Sequence, residues 1–230
     1  MDPNTLDALR QGMILYIILA CSIALHEFGH AKLADLIGDF LPRSQGRVTL
    51  NPLVHLDPIG TGLIPLMSIF LPILTHTHLP IGIIGWGRPV QISLPNPKTR
   101  VRDEILITLA GPGMNVLIAL IAAVVWGLLG RFALPTAQHT APLFGEIISL
   151  NCLLIVFNLI PLPPLDGSRI MRHVVGMTEE AFVRLSLQSW WILLILINLQ
   201  PVQALLGRVT YTFVIPFFNL ASFLAGQYLL

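Results

Sequence analysis

Residues 13–30 have the sequence MILYIILACSIALHEFGH, an apolar run that ends in two histidines and a glutamate. The first thirteen of these residues carry no charge, as expected for part of a helix embedded in a lipid bilayer. His26, Glu27 and His30 follow without a break. Ionisable side chains are costly inside hydrocarbon, so those found in a membrane helix are usually functional. The stretch therefore predicts a membrane helix with a polar site at its end.

His26 and His30 are four residues apart, so a helix places them on one face, where both can bind one metal ion. Glu27 then lies beside that ion and is suited to take a proton from an activated water molecule. The spacing is the H-E-x-x-H arrangement of zinc peptidases. The same pattern occurs by chance in soluble helices, so the apolar context is what favours a metal site here.

The composition indicates an integral membrane protein. Of the 230 residues, 54% are hydrophobic and 11% are charged, and the mean hydropathy is +0.78. Soluble domains carry about 25% charged residues. The formal net charge of +1 provides no basic surface large enough for a phosphate backbone. The composition thus argues against nucleic acid as a partner and favours the lipid bilayer.

The apolar segments predict an all-α polytopic membrane protein with about five to six transmembrane helices. Spans are predicted at about residues 12–34, 104–130, 143–161, 181–199 and 206–228. Prolines and glycines interrupt a further apolar segment at 58–86, so we expect it to be re-entrant. We predict one membrane-embedded domain over 1–230, with a catalytic core at about 12–175 and additional C-terminal helices at about 181–228.

The segments between the spans are predicted to include short extended structure. Residues 43–52 and 85–93 alternate like short strands, which predicts a membrane-associated β-hairpin near the re-entrant segment. A connector is expected at about 131–142. Residues 161–167, PLPPLDG, contain three prolines in four residues, so the helix must end there and present Asp166.

The basic residues predict the orientation. If 58–86 is re-entrant, ten of the thirteen Lys and Arg residues fall on one side of the membrane. The positive-inside rule makes that side cytoplasmic. Because His30 and Asp166 then lie near the same boundary, we expect a multi-pass protein of the cell membrane with its active site near the cytoplasmic side.

Several motifs together resemble the site-2 proteases, peptidase family M50, which are membrane-embedded zinc metalloproteases that cut transmembrane segments of other proteins. The resemblance covers about residues 20–175 and is to a minimal form without PDZ or CBS domains. It rests on His26-Glu27-Phe28-Gly29-His30, on Ala110-Gly111-Pro112-Gly113-Met114-Asn115, on the segment from Asn158 to Gly167, and on 57–60 and 85–90.

The resemblance implies a role for each residue that matches a family motif. His26, His30 and Asp166 would bind one Zn²⁺ per chain, a set of N and O ligands that leaves a fourth position open for water. Glu27 would be the general base and acid. Asn115 would be a further catalytic residue that holds the substrate backbone or the developing oxyanion. The implied activity is a zinc metalloendopeptidase acting on single-span membrane proteins, with 86–93 as an edge for substrate pairing.

Two other functions are compatible with parts of this pattern. A membrane metal transporter would also place ligands inside the bilayer, although its ligands would recur through several spans. A catalytically inactive relative that only binds membrane helices would lack Glu27 or Asp166, and both are present. His76 and His78 could hold a second metal ion, although a polar loop is the simpler interpretation of these two residues.

Overall fold

The computed structural model describes residues 3–75, 85–226 and 229. Six helices in this part of the chain are long and apolar enough to cross a membrane, which confirms the predicted all-α polytopic membrane fold. In chain order the helices are α1 (Pro3–Leu36), α2 (Leu41–Ser44), α3 (Pro52–His55), a π-helix (Pro58–Leu63), α4 (Ile64–Thr75), α5 (Arg100–Phe132), α6 (Leu134–Asn158), α7 (Asp166–Val174), α8 (Glu179–Ile197) and α9 (Gln200–Ala225).

The π-helix and α4 together form one of the six apolar helical segments. Asp57 begins this segment, because its carboxylate accepts hydrogen bonds from the backbone N–H groups of Ile59 at 3.0 Å and Gly60 at 2.7 Å. Residues 76–84, which include His76 and His78, lie outside the described residues. The re-entrant path predicted for 58–86 therefore stays a prediction.

The predicted connector at 131–142 is wrong. Helix α5 continues to Phe132 and α6 begins at Leu134, so one non-helical residue separates them. Pro135 lies in the first turn of α6, where proline is tolerated because the N–H that it lacks would have no partner within the helix. The helices α5 and α6 are thus joined by a tight turn.

The predicted strands and β-hairpin are absent from the residues that the structure describes. The stretch 43–52 contributes to α2 and α3 instead, and an isolated antiparallel bridge joins Leu56 to Gly87. The stretch 85–93 is non-helical, but side chains of Arg47 and Asp39 bind much of its backbone in place of a second strand.

Helix α5 is the centre of the bundle and packs against α1, α6 and α9. Its buried residues recur every three or four positions and are mostly small, which allows neighbouring backbones to approach closely. A Cβ on Gly29 of α1 would lie 2.6 Å from the carbonyl oxygen of Ala110 in α5. This close crossing brings the histidine face of α1 onto the middle of α5.

Candidate metal centre

The two histidines of α1 face Gly111 of α5. A Cβ on Gly111 would overlap His30 Nε2 and would lie 2.6 Å from His26 Nε2. His26 and His30 are 6% and 8% exposed, and their Nε2 atoms are 3.1 Å apart. The absence of a side chain at Gly111 therefore leaves the space in which the two Nε2 atoms converge.

Asp166 completes a three-residue group with the two histidines. It is the first residue of α7, after α6 has ended at Asn158 ahead of the proline-rich segment. Asp166 Oδ2 lies 3.1 Å from His26 Nε2 and 3.3 Å from His30 Nε2. The predicted break at 161–167 is confirmed, and it delivers this carboxylate from a separate helix to the histidine face.

These three atoms fit a tetrahedral zinc site. Ligands at about 2.0–2.1 Å from a zinc ion lie about 3.3–3.4 Å from one another in a tetrahedron. The three distances here are 3.1, 3.1 and 3.3 Å. Two imidazoles and one carboxylate also form the N and O donor set that a catalytic zinc site uses, with a fourth position left over.

Hydrogen bonds to the Nδ1 atoms direct both Nε2 atoms towards this site. His30 Nδ1 donates to the carbonyl oxygen of Ile107 at 2.7 Å, and His26 Nδ1 donates to Asn115 Oδ1 at 2.6 Å. An imidazole whose Nδ1 carries the hydrogen has its free lone pair on Nε2, as metal-binding histidines commonly do. Each ring is therefore prepared to bind a cation through Nε2.

Asn115 lies behind His26. It is 0% exposed and is not among the residues that line the cavity described below. Its Oδ1 accepts from His26, and its Nδ2 donates to Asn151 Oδ1 at 2.9 Å. Both ends of the amide are thus occupied, an arrangement suited to orienting His26 rather than to contacting a substrate.

Charged residues hold α7 against α5. Glu104, 3% exposed, accepts from Arg172 at 2.9 Å and from His173 at 3.0 Å, and Arg169 lies 3.7 Å away. Arg172 also donates to Glu179 at the start of α8, at 2.9 Å. This group, which we call the Glu104 cluster, links the helix that begins with Asp166 to two neighbouring helices.

Glu27 lies beside the three-residue group and lines the same cavity. Within the described part of the chain its carboxylate has no hydrogen-bonding partner, and Gly87 packs against it so closely that a Cβ there would lie 3.0 Å from Glu27 Oε1. Apolar side chains from α1, α5, α6, α8 and the stretch 85–92 form most of the remaining cavity wall: Ile23, Trp86, Val90, Ile92, Ile107, Leu154, Phe157, Leu165, Trp190 and Leu193.

The stretch 85–94 forms one wall of this cavity and is anchored at both ends. Arg47 binds the carbonyl oxygens of Arg88 and Pro89, at 3.2 and 3.3 Å. Asp39 accepts from the backbone N–H groups of Ser93 and Leu94, at 2.5 and 3.0 Å. Burial acts to raise the pKa of Asp39, but these hydrogen bonds outweigh it and hold the pKa below its ordinary value.

The sequence motifs identified the residues that converge here but missed those that support them. His26, Glu27, His30 and Asp166 all meet at one cavity, with Asn115 behind them. Asn151, Glu104 and Arg172 were not predicted. A lone amide within the apolar segment at 143–161 was a signal for Asn151, because polar groups are rare inside a membrane span.

The fold and the site define a class of protein, a multi-pass α-helical membrane protein with a candidate metal centre of two histidines and an aspartate. Comparison with known proteins narrows the class. Residues 127–202, which contain Asp166, match the family model described as Peptidase family M50. No solved structure matches the chain.

Relatives over most of the chain support the same family. YwhC of Bacillus subtilis, named as a candidate zinc metalloprotease, is 37% identical over 165 residues, which cover 70% of this chain and 68% of YwhC. Rip2 of Mycolicibacterium smegmatis, also named as a candidate zinc metalloprotease, is 28% identical over 202 residues, 87% of this chain and 71% of Rip2. The chain therefore belongs to peptidase family M50, the site-2 protease family, and is a metalloprotease.

Proposed function

We propose that this protein is an intramembrane zinc endopeptidase, which hydrolyses a peptide bond within the membrane-spanning segment of a substrate protein. The observation that carries the proposal is the convergence of His26 Nε2, His30 Nε2 and Asp166 Oδ2 beside Glu27, within a bundle of apolar helices. The names of YwhC and Rip2 support zinc as the metal. We expect about one zinc ion per chain, held by these three residues.

In this mechanism Glu27 moves the proton. A zinc ion held by His26, His30 and Asp166 supplies a Lewis acid, which acidifies water and polarises a carbonyl group. Glu27 takes the proton of the attacking water and passes it to the amide nitrogen that leaves. Asn115 keeps His26 oriented throughout, because its amide is fully engaged between His26 and Asn151.

The substrate would bind along the stretch 89–92. Val90 and Ile92 line the cavity while Gln91 points away and donates no backbone hydrogen bond to the described residues, as in a strand with one free edge. An unwound substrate segment could pair with this edge by β-augmentation. Val90→Pro, which removes a backbone donor, should impair cleavage, whereas Val90→Ala should not. Equal activity of the two variants would argue against pairing at this edge.

The proposed location is the cell membrane, with the site near the cytoplasmic side. The excess of Lys and Arg residues on the side that carries the ends of α1 and α7 supports this orientation. The proposed substrates are single-span membrane proteins, since the cavity opens between helices and its lining is mostly apolar.

The experiment that tests the function compares wild type with Glu27→Gln on a model single-span substrate in detergent, with mass spectrometry to locate the cut. We expect wild type to cut within the apolar segment. Glu27→Gln should retain zinc and lose activity by roughly 10²–10⁴-fold, the usual contribution of a general base. Glu180→Gln, at an exposed carboxylate at the start of α8, is the matched control and should keep full activity.

Two outcomes would contradict the proposal. If Glu27→Gln cuts as fast as wild type, Glu27 is not the base. If wild type binds zinc without cutting, and vesicles that contain it accumulate zinc, the protein is a transporter.

A further inference from the structure

Asn151 is a fully buried amide in the middle of α6, and its side chain touches three helices. Its Nδ2 donates to the carbonyl oxygen of Ile147 at 2.8 Å, one turn earlier in the same helix, and to Ser22 Oγ of α1 at 3.1 Å. Its Oδ1 accepts from Asn115 of α5 at 2.9 Å. All hydrogen-bonding atoms of this side chain are therefore engaged, at a residue that makes no contact with the cavity.

These bonds give the network a fixed direction. A backbone carbonyl can only accept, so the NH₂ end of Asn151 must face Ile147 and its oxygen must face Asn115. Asn115 then has to present its own NH₂ to Asn151, which leaves its oxygen for His26 Nδ1 at 2.6 Å. The last link is the Nδ1 hydrogen of His26, with the Nε2 lone pair directed at Asp166 and His30.

We infer that Asn151 is a positioning residue, which acts through Asn115 to fix both the orientation of His26 and the ring nitrogen that carries its hydrogen. The inference rests on the proposed function of His26 as a metal ligand. It also makes the two histidines equivalent. His30 is oriented directly by the carbonyl of Ile107, and His26 is oriented by the carbonyl of Ile147 through two amides.

The test uses two substitutions that act on the network differently. Asn151→Leu removes the acceptor for Asn115. Asn151→Asp keeps the size and that acceptor but places an oxygen against the carbonyl of Ile147, which reverses the direction of the network. Each should weaken zinc binding by about 10–100-fold, the usual cost of losing a partner that orients a ligand. Zinc affinity is measured by competition with a chelator in detergent.

Asn198 supplies a matched control. Its Nδ2 also donates to the carbonyl one turn earlier, that of Leu194 at 2.8 Å, but it lies at the exposed end of α8. Asn198→Leu and Asn198→Asp should leave zinc affinity unchanged. If folded Asn151→Asp, identified by its circular dichroism, binds zinc within twofold of wild type, the inference is wrong.

Histidine-selective ¹⁵N NMR of the zinc-free protein gives a readout that needs neither metal nor a stable variant. We expect the wild-type His26 signals of a ring with its hydrogen on Nδ1, and a second form in Asn151→Asp. A wild-type ring with its hydrogen on Nε2 would overturn the inference. A wild type that binds zinc and cuts while the Asn151 variants bind equally well would refute the inference alone, whereas a wild type without zinc would refute the proposed function.

Discussion

The two sides of the metal centre are supported in different ways. The histidines of α1 are oriented by neutral groups, the carbonyl of Ile107 and the amide of Asn115, in the buried middle of the helix bundle. Asp166 begins a nine-residue helix, and the charged Glu104 cluster holds that helix in place. One site thus combines a neutral support with an ionic one.

The difference follows from the surroundings of each support. A charge in the apolar interior costs free energy unless it is paired, whereas an amide whose hydrogen bonds are all made costs little. The Glu104 cluster lies where α5 begins and α7 ends, with Glu179 exposed, so part of it meets water. We expect the histidine side to respond to changes of shape and the aspartate side to changes of charge.

The largest effect should come from a methyl group on the histidine side. Gly111→Ala would place a Cβ against both Nε2 atoms, which the backbones of α1 and α5 are packed too closely to avoid. We expect zinc binding and cleavage to be lost, with a fall in zinc affinity larger than the ~10–100-fold typical of changes to an outer partner. Metal analysis of the purified variant checks this expectation.

Gly113 provides the matched control two residues later. A Cβ there would meet nothing within 4 Å, because Gly113 faces away from the bundle. Gly113→Ala should therefore bind zinc and cut like wild type. Equal zinc content in the two alanine variants would show that the space at Gly111 is not needed for the metal.

A smaller effect is expected from the aspartate side. Arg172→Ala removes the partner that lies 2.9 Å from the buried carboxylate of Glu104. Breaking a buried ion pair on one side typically costs about 3–5 kcal/mol of unfolding free energy, although His173 and Arg169 retain part of the compensation here. Denaturant titration in detergent measures the loss, and zinc affinity should fall with it.

Arg102 tests whether the effect depends on burial. Its guanidinium bonds to Asp103 at 2.9 Å but is 68% exposed, so Arg102→Ala should change stability much less. If the two variants lose stability equally, the Glu104 cluster has no special role in holding α7.

The smallest effect should come from the cavity wall, which belongs to neither support. Because hydrogen bonds lower the pKa of Asp39 in the folded protein, its charge stabilises the fold above the unfolded pKa of about 3.9 and stops doing so as the pH falls through the folded value. Asp39→Asn should lower the melting temperature by roughly 2–4 °C at pH 7, with less difference below about pH 4.

Zinc affinity separates this wall from the two supports. Asp39→Asn should leave it unchanged, since Asp39 binds the stretch 93–94 and not the metal centre. Asp7→Asn, at an exposed carboxylate of α1, should change neither the melting temperature nor its dependence on pH. A pH-independent loss in Asp39→Asn would contradict the role of the carboxylate charge.

Local patterns predicted the parts of the molecule that depend on nearby residues. The i, i+4 spacing placed His26 and His30 on one face, and three prolines in four residues ended the helix before Asp166. The apolar spans were also correct, because length and hydropathy are properties of each segment alone.

The sequence could not predict features that depend on distant residues. The strand-like alternation at 85–93 gave no strand, because Asp39 and Arg47, more than forty residues earlier, bind its backbone. The link between Asn151 and His26 depends on which faces of α1, α5 and α6 meet. Neither the hydropathy nor the motifs contain that information.

The central claim is that His26, His30 and Asp166 bind one zinc ion, and zinc K-edge X-ray absorption of the purified protein tests it most directly. For wild type we predict about one zinc per chain with two imidazole nitrogens and only N and O ligands, at about 2.0–2.2 Å. Asp166→Ala should lose one oxygen ligand and bind zinc more weakly. A sulfur ligand in wild type, or a zinc site unchanged by Asp166→Ala, would contradict the claim.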